Sequence, residues 1–467
     1  MSLTNFPHPA HTDGMDDETT FMKTQWAEVD ENGRLILPPE VAQQFGLIPG
    51  ARLRIETDSN NFRLHRPVTH LAKLYIEATN HCNIDCATCM RNTWNVEMGF
   101  MSEETFSHIL DSLEAVERPL SITMMGIGEP LAHPRTIEMI AQLKARGHTV
   151  EMVTNGTLLN EKRARGLIAA GLDVLWVSID GATPENFADI RLGANFADIR
   201  LGAYLPKILE NIRRFRRLRR PAHHPVPEIG IAFVAMKRNI NDLPELLALG
   251  KSLGATRFSV SNLLPYSADM KDEILYKRSL ISVSNLLPYS AEMKDEILYK
   301  RSLNSITYLP SPWLRHLDLP KMDFNELTAE PIIKALSSGY NVTLAGNNLG
   351  GANNVCTFIE SGAMAIGWNG DLAPCPPLVH THVGYLQGYE RTSIKHILGN
   401  IREQSLLDVW NDPEYIAYRE RVQQFAFAPC TSCGGCEIAW DNQTDCYSRP
   451  APACGGCLWA QAVIQCP

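Results

Sequence analysis

From about Leu71 onward the chain alternates short apolar runs with longer amphipathic stretches. Leu74 to Ala78, Ser121 to Met125, Thr149 to Val153, Val174 to Ile179, Glu228 to Val234 and Arg257 to Val260 read as strands. Between them, Ser102 to Val116, Pro134 to Arg146 and Glu161 to Gly171 repeat apolar residues at helical spacing. Strand-then-helix units joined by short turns predict a parallel sheet with helices outside, because parallel neighbours need a crossover. The predicted fold class is α/β, a partial (β/α)6 TIM-type barrel, in which chemistry belongs at the C-terminal strand ends.

Ahead of this lie a polar, flexible tail (1–24) and a small unit (25–67). The unit reads as strand, Asn32-Gly33 turn, strand, a helix from Pro39 to Phe45, the Pro49-Gly50 turn, then two more strands. Strands this short bury no core alone, so the unit is expected to pair with a partner copy or pack on the next domain. Two tandem duplications interrupt the barrel rhythm. Residues 186–194 recur unchanged at 195–203, and 259–280 recur at 282–303 with Asp269 becoming Glu292. Each second copy is expected to bulge out as a loop or extra helix. The domain plan is completed by a barrel over 71–310, a linker over 311–350 and a cysteine-rich domain over 351–467.

A length of 467 residues, with 45% hydrophobic and 20% charged residues, is that of an ordinary water-soluble chain with more than one domain. No run reaches the ~18 apolar residues of a membrane span. Met1 to Glu18 is polar and acidic where a signal peptide would be basic and then apolar, so the expected location is cytoplasmic. A net charge of -9 offers no overall attraction to nucleic acid or an anionic membrane. One basic run, Arg213, Arg214, Arg216, Arg217, Arg219 and Arg220, is interleaved with Ile212, Phe215 and Leu218 and reads as the solvated face of an amphipathic helix.

The 12 cysteines fall into two groups, Cys82, Cys86 and Cys89, then nine from Cys356 to Cys466. Reduced thiols at clustered spacings favour metal over disulfides. Cys82-x3-Cys86-x2-Cys89 follows a predicted strand, and three soft ligands there suit three irons of a 4Fe–4S cluster with the fourth iron open. A zinc site completed by His81 is the rival, with the awkward bite of adjacent ligands. Later strand ends carry Gly126-Ile127-Gly128-Glu129-Pro130, Thr154-Asn155-Gly156-Thr157 and Ser178-Ile179-Asp180-Gly181. In the tail, Cys356, Cys375, Cys430, Cys433, Cys436, Cys446, Cys454, Cys457 and Cys466 suffice for two clusters of four thiolates with one left over. Cys430-x2-Cys433 and Cys454-x2-Cys457 also fit a zinc ribbon.

The front cysteines with the glycine-rich Glu-Pro segment resemble the radical SAM superfamily over residues 71–310. The resemblance implies that Cys82, Cys86 and Cys89 bind the cluster. It further implies that Gly126, Gly128 and Glu129 meet the methionyl amine of S-adenosylmethionine, and that Asn155, Ser178 and Asp180 lie near its carboxylate or ribose. Arg191, or its duplicate Arg200, falls at a carboxylate-binding position. Cys356, Gly370, Cys375, Gly399-Asn400-Ile401 and Ser405 to Trp410 look like the SPASM extension, which implies two auxiliary 4Fe–4S clusters. Trp94, the run Cys430 to Cys436 and the ending Cys454 to Pro467 resemble maturases associated with tungsten-cofactor oxidoreductases of the aldehyde ferredoxin oxidoreductase kind. That likeness implies a radical enzyme maturing the tungstoenzyme or its cofactor, with the tungsten-dependent oxidoreductase among its partners and ferredoxin or flavodoxin as electron donor. The 25–67 unit resembles AbrB-like swapped-hairpin domains, with dimerisation or docking expected ahead of DNA binding. Two alternatives stay open: a peptide-modifying SPASM enzyme of thioether or quinone type, and a DNA-binding redox regulator using clusters or zinc.

Overall fold

The computed structural model describes residues 26–57, 62–184, 187, 190, 205–219, 226–276, 316–320, 322, 325–336, 341–344, 347–348, 356–386, 388–428, 430, 436–460 and 463–465. The flexible-tail expectation for 1–24 lies outside these residues.

The N-terminal unit forms two antiparallel hairpins around the helix Pro39–Gln44: β1 (Glu28–Val29) with β2 (Leu35–Ile36), and β3 (Ile55–Thr57) with β4 (Phe62–Leu64). Its strands bury little, and Trp26, Ile36, Ile55 and Phe62 stay exposed. Polar contacts tie it to the rest. Nδ1 of His65 lies 2.9 Å from Glu360 Oε1, Arg66 Nε donates to the Glu360 carbonyl at 3.2 Å, and Arg54 donates to the Gln423 carbonyl.

The body is one sheet of 12 strands. The six expected strands are β5 (Lys73–Ile76), β6 (Ser121–Met124), β7 (Thr149–Thr154), β8 (Val174–Ser178), β9 (Glu228–Ala235) and β10 (Arg257–Asn262), each parallel to the next. Residues 311–350, expected as a linker, instead carry two further parallel strands, β11 (His316–Leu319) and β12 (Asn341–Leu344), with the helix Ala329–Leu336 between them. These strands are only four residues long, with two apolar residues each, too short to stand out as periodicity. A two-residue strand β13 (Asn347–Asn348) ends that edge.

At the opposite edge, β14 (Ala363–Ile366) adds in parallel to β5, pairing Met364 with Leu74, and β15 (Asp371–Ala373) follows it antiparallel. The hairpin of β16 (His382–Leu386) and β17 (Tyr389–Ser393) stands apart, and β18 (Gly399–Asn400) closes the edge on β15. The cysteine-rich domain is thus bonded along the very strand that feeds the Cys82 loop.

Helices cover the sheet as their patterns require. Glu103–Glu114 starts where Ser102 Oγ accepts from Thr105 N at 3.0 Å, a cap worth about 1 kcal/mol, and buries Phe106, Ile109, Leu110 and Leu113. The arginine-rich helix Leu205–Leu218 buries Ile208, Ile212 and Phe215. Arg214 pairs with Glu210 at 2.8 Å, and Arg219 is buried with its Nη1 donating to the Pro227 carbonyl at 2.6 Å. Arg213, Arg214, Arg216 and Arg217 accordingly lie on this helix, with Arg219 just past its end and Arg220 outside the described residues. Of the duplications, the first copy of the longer one builds β10, and the described part of the shorter one buries Phe187 and Ile190. Their second copies, 195–203 and 282–303, lie outside the described residues.

Candidate radical and auxiliary cluster sites

Beyond β5 the chain turns back on itself, and its first polar residues fix the turn. Thr79 Oγ1 donates to the Gly99 carbonyl at 2.6 Å, and Asn80 clasps residues 97 and 99 through Nδ2 to the Glu97 carbonyl at 2.8 Å and Oδ1 from Gly99 N at 2.7 Å. Cys82, Cys86 and Cys89 lie in the loop so closed, all half-buried. Cys89 N donates to the Cys86 carbonyl, and Ala87 N donates to Ile190, each at 3.0 Å. The Arg91 guanidinium reaches Cys89 and donates from Nη2 to the Ile84 carbonyl at 2.6 Å.

Two later strand ends, those of β6 and β7, meet this loop. Asn155, at the end of β7, points Nδ2 at Cys82 Sγ, 3.6 Å away, and at Asn83 Oδ1, 3.0 Å away. Gly128 lies against the loop backbone, where an added Cβ would be 2.3 Å from the Thr79 carbonyl oxygen and 2.5 Å from that of His81. Only glycine fits that approach. The Glu129 carboxylate is sequestered, 1% exposed, with Oε1 accepting from Leu131 N at 3.0 Å and Thr154 Oγ1 at 2.7 Å, and Oε2 from Asn155 N at 2.7 Å. In this conformation it locks the glycine loop to the end of β7. Ser178 ends β8 half-buried, and Asp180 is buried with Oδ1 accepting from Val234 N at 2.9 Å. Arg191, Cys433 and Cys466 lie outside the described residues.

A buried pair not foreseen from sequence joins this mouth to the cysteine-rich domain. Glu77 follows β5; its Oε1 lies 2.7 Å from His380 Nε2 and its Oε2 accepts from Ile127 N at 3.1 Å. His380 stands edge-on to Trp94, ring centroids 5.0 Å apart. A polar residue ending an apolar strand was the available signal.

The tail cysteines separate into two places. Cys356, Cys375, Cys454 and Cys457, drawn from segments about 100 residues apart, line a cavity of about 60 Å³. Burial pushes the Cys356 thiol up to about 12, with Cys457 adding to it, and burial likewise raises the Cys375 thiol, with Cys356, Cys457 and Cys454 around it. Three buried thiols and one half-buried thiol that oppose one another's ionisation call for a cationic centre. His382 Nε2 and Trp459 Nε1, both in the cavity wall, are buried without a hydrogen-bond partner. Thiols around a void with the unused indole N–H of Trp459 fit a multi-atom iron–sulfur cluster, whose sulfides accept hydrogen bonds; His382, whose Nδ1 donates to the His380 carbonyl, leaves its Nε2 as an acceptor. Cys430 and Cys436 line a second, smaller cavity. Cys446 is exposed, next to Asp445, whose carboxylate accepts from Ala428 N at 2.9 Å and Tyr447 N at 3.0 Å. Burial drives the Cys82 thiol up, Cys89 lies within electrostatic reach, and Trp94 Nε1 is buried without a partner.

A three-thiol loop at the strand ends of a parallel α/β sheet, with a thiol-walled domain on the sheet's edge, is the architecture of a radical SAM enzyme with a SPASM domain. Family models agree: the radical SAM superfamily matches residues 76–249 and the SPASM iron–sulfur cluster-binding domain matches 356–437. S-adenosylmethionine and a 4Fe–4S cluster go with the first domain, and auxiliary iron–sulfur clusters with the second. The chain is 30% identical over 397 residues to the tungsten-containing aldehyde ferredoxin oxidoreductase cofactor-modifying protein of Pyrococcus furiosus, spanning 84% of this chain and 96% of that one, and it belongs to that protein's family. It is also 30% identical over 200 residues to the AdoMet-dependent heme synthase of Methanosarcina barkeri, 42% of this chain and 52% of the relative. Streptococcus suis SuiB bound to S-adenosylmethionine is similar at 16% identity and a TM-score of 0.47, over 78% of this chain and 71% of that one. No helix among the described residues is long and apolar enough to cross a membrane.

Proposed function

We propose that this chain reductively cleaves S-adenosylmethionine at the Cys82–Cys89 loop and uses the radical to mature a tungsten-containing oxidoreductase or its cofactor. The approach of the β6 and β7 ends to that loop carries the reading. A cluster held at this loop would, when reduced, supply one electron for breaking the sulfonium's S–C5′ bond, and the 5′-deoxyadenosyl radical so formed would take a hydrogen atom from the substrate. Cys82, Cys86 and Cys89 would hold three irons. Gly126 and Gly128 offer bare backbone to the methionyl end, Asn155 and Ser178 polar groups at the mouth, and Arg191 a carboxylate partner. Glu129 and Asp180 act at one remove, pinning β7 to the glycine loop and β8 to β9.

Cys356, Cys375, Cys454 and Cys457 would hold one auxiliary cluster. Cys430, Cys433, Cys436 and Cys446 would hold the other, leaving Cys466 over. The tungsten assignment is supported by the name of the Pyrococcus relative and by end-to-end similarity to it. A ferredoxin or flavodoxin would supply electrons in the cytoplasm. The N-terminal unit would dimerise or dock a partner in AbrB-like fashion, a reading supported by its exposed Trp26, Ile55 and Phe62.

Disrupting the gene and assaying tungsten-dependent aldehyde oxidation in extracts tests the substrate assignment. Activity should be lost and restored by the intact gene but not by C86A. Unchanged activity would overturn the tungsten reading while leaving the radical chemistry to stand.

A further inference from the structure

Arg391 lies on β17, in the hairpin that runs between the two thiol-lined cavities, and it borders both of them. Its side chain is buried, the residue being only 8% exposed. On one side the guanidinium packs against the turn from Cys454 to Cys457. A Cβ added at Gly456 would stand 2.7 Å from its Cζ and 2.8 Å from Nη1, so glycine at that position is what admits it. On the other side Nη1 donates to the carbonyl of Ala439, in the turn Glu437–Trp440 that follows Cys436. Its acidic neighbours are Cys430, Cys457, Asp441 and Cys454, three of them thiols and these drawn from both cavities.

Burying a guanidinium is costly unless anions compensate it, and an anion in a low-dielectric interior responds strongly to a fixed cation. Thiolate-ligated clusters are anionic and become more so on taking up an electron. We propose that Arg391 is a counter-cation shared by the two auxiliary iron–sulfur sites, a positioning residue that favours the reduced form of both from one place. This rests on the reading above that both groups of thiols hold clusters. It gives the pair a common electrostatic control, so that electrons enter both within one potential range.

The test is a potentiometric titration followed by electron paramagnetic resonance on the anaerobically reconstituted full chain, with iron and sulfide counted per polypeptide. In R391M, the equilibrium constant for one-electron reduction of each auxiliary cluster should fall at least tenfold, a midpoint lower by about 59 mV. R391K, which keeps the charge, should restore most of that shift, and the front cluster should not move. G456A, which pushes the guanidinium aside without removing it, should shift both auxiliary midpoints in the same direction; it and R391K carry the test where R391M loads poorly. Unmoved midpoints in loaded variants, or a shift in one auxiliary cluster alone, would overturn the shared role. A wild-type chain holding only about four irons would instead overturn the auxiliary-cluster reading itself.

Discussion

Glu129 offers the sharpest test of how the radical site is built. Its carboxylate accepts three hydrogen bonds in a buried setting, from Leu131 N, Thr154 Oγ1 and Asn155 N. Bonds to a charged group contribute about 1.5–3 kcal/mol each, a nominal ~4.5–9 kcal/mol for three. Water entering the vacated space would re-solvate some of the donors, so E129A should destabilise the protein by about 3–5 kcal/mol. E129Q keeps the volume but turns an amide N–H toward one of the donors, and should cost about 1.5–3 kcal/mol. Both follow from anaerobic denaturant unfolding of the reconstituted chain, with front-cluster iron measured in parallel, because the same bonds hold Asn155 beside Cys82. E129A within about 0.5 kcal/mol of wild type would refute the reasoning. Weakened S-adenosylmethionine binding with unchanged stability in E129Q would show that the carboxylate acts on the ligand rather than on the loop.

Gly128→Ala should force the cluster loop aside, since the new Cβ meets backbone oxygens at 2.3 and 2.5 Å. Reductive cleavage of S-adenosylmethionine should fall about 100-fold while tail iron is kept; cleavage near the wild-type rate would contradict that contact. Cys375→Ala should lower the iron count from about twelve to about eight per chain, and an unchanged count would exclude Cys375 from ligation. Burial, then the charges of Arg66 and Arg118, lower the His70 pKa from 6.5 to about 4. Between those values the unfolded chain binds more protons, so the neutral ring's contribution is complete above about pH 6.5 and is lost as the pH falls toward 4. His70 packs against Gly46, so limited proteolysis of residues 26–57 should quicken from pH 7 to pH 5. H70Q should flatten that dependence; a pH response identical to wild type would rule His70 out.

The six strands that frame the radical site were legible because each is a compact apolar run closed by a turn. The Cys82 loop and the glycine loop were legible because their spacing is local. The strands β11 and β12 were not, since four-residue strands with two apolar residues each carry almost no period. Nor was the pairing of β14 with β5, some 290 residues earlier in the chain, because edge pairing leaves no local signature. The grouping of tail thiols needed the fold for the same reason: Cys356 and Cys457 share a cavity, while Cys430 lies in another. Arg391 left only an indirect trace, the Gly455-Gly456 pair between two cysteines, which on sequence alone reads as ligand spacing. The three protein donors to the Glu129 carboxylate were likewise not legible, because Leu131, Thr154 and Asn155 come together on it only in the fold.

The central claim is that the Cys82–Cys89 loop carries reductive cleavage of S-adenosylmethionine. The most direct measurement is 5′-deoxyadenosine formed by the anaerobically reconstituted chain with S-adenosylmethionine and a low-potential reductant, compared between wild type and C86A with iron counted in both. Wild type should form product, and C86A none even though it keeps its tail iron. Product from C86A at the wild-type rate, or none from a fully loaded wild type, would contradict it.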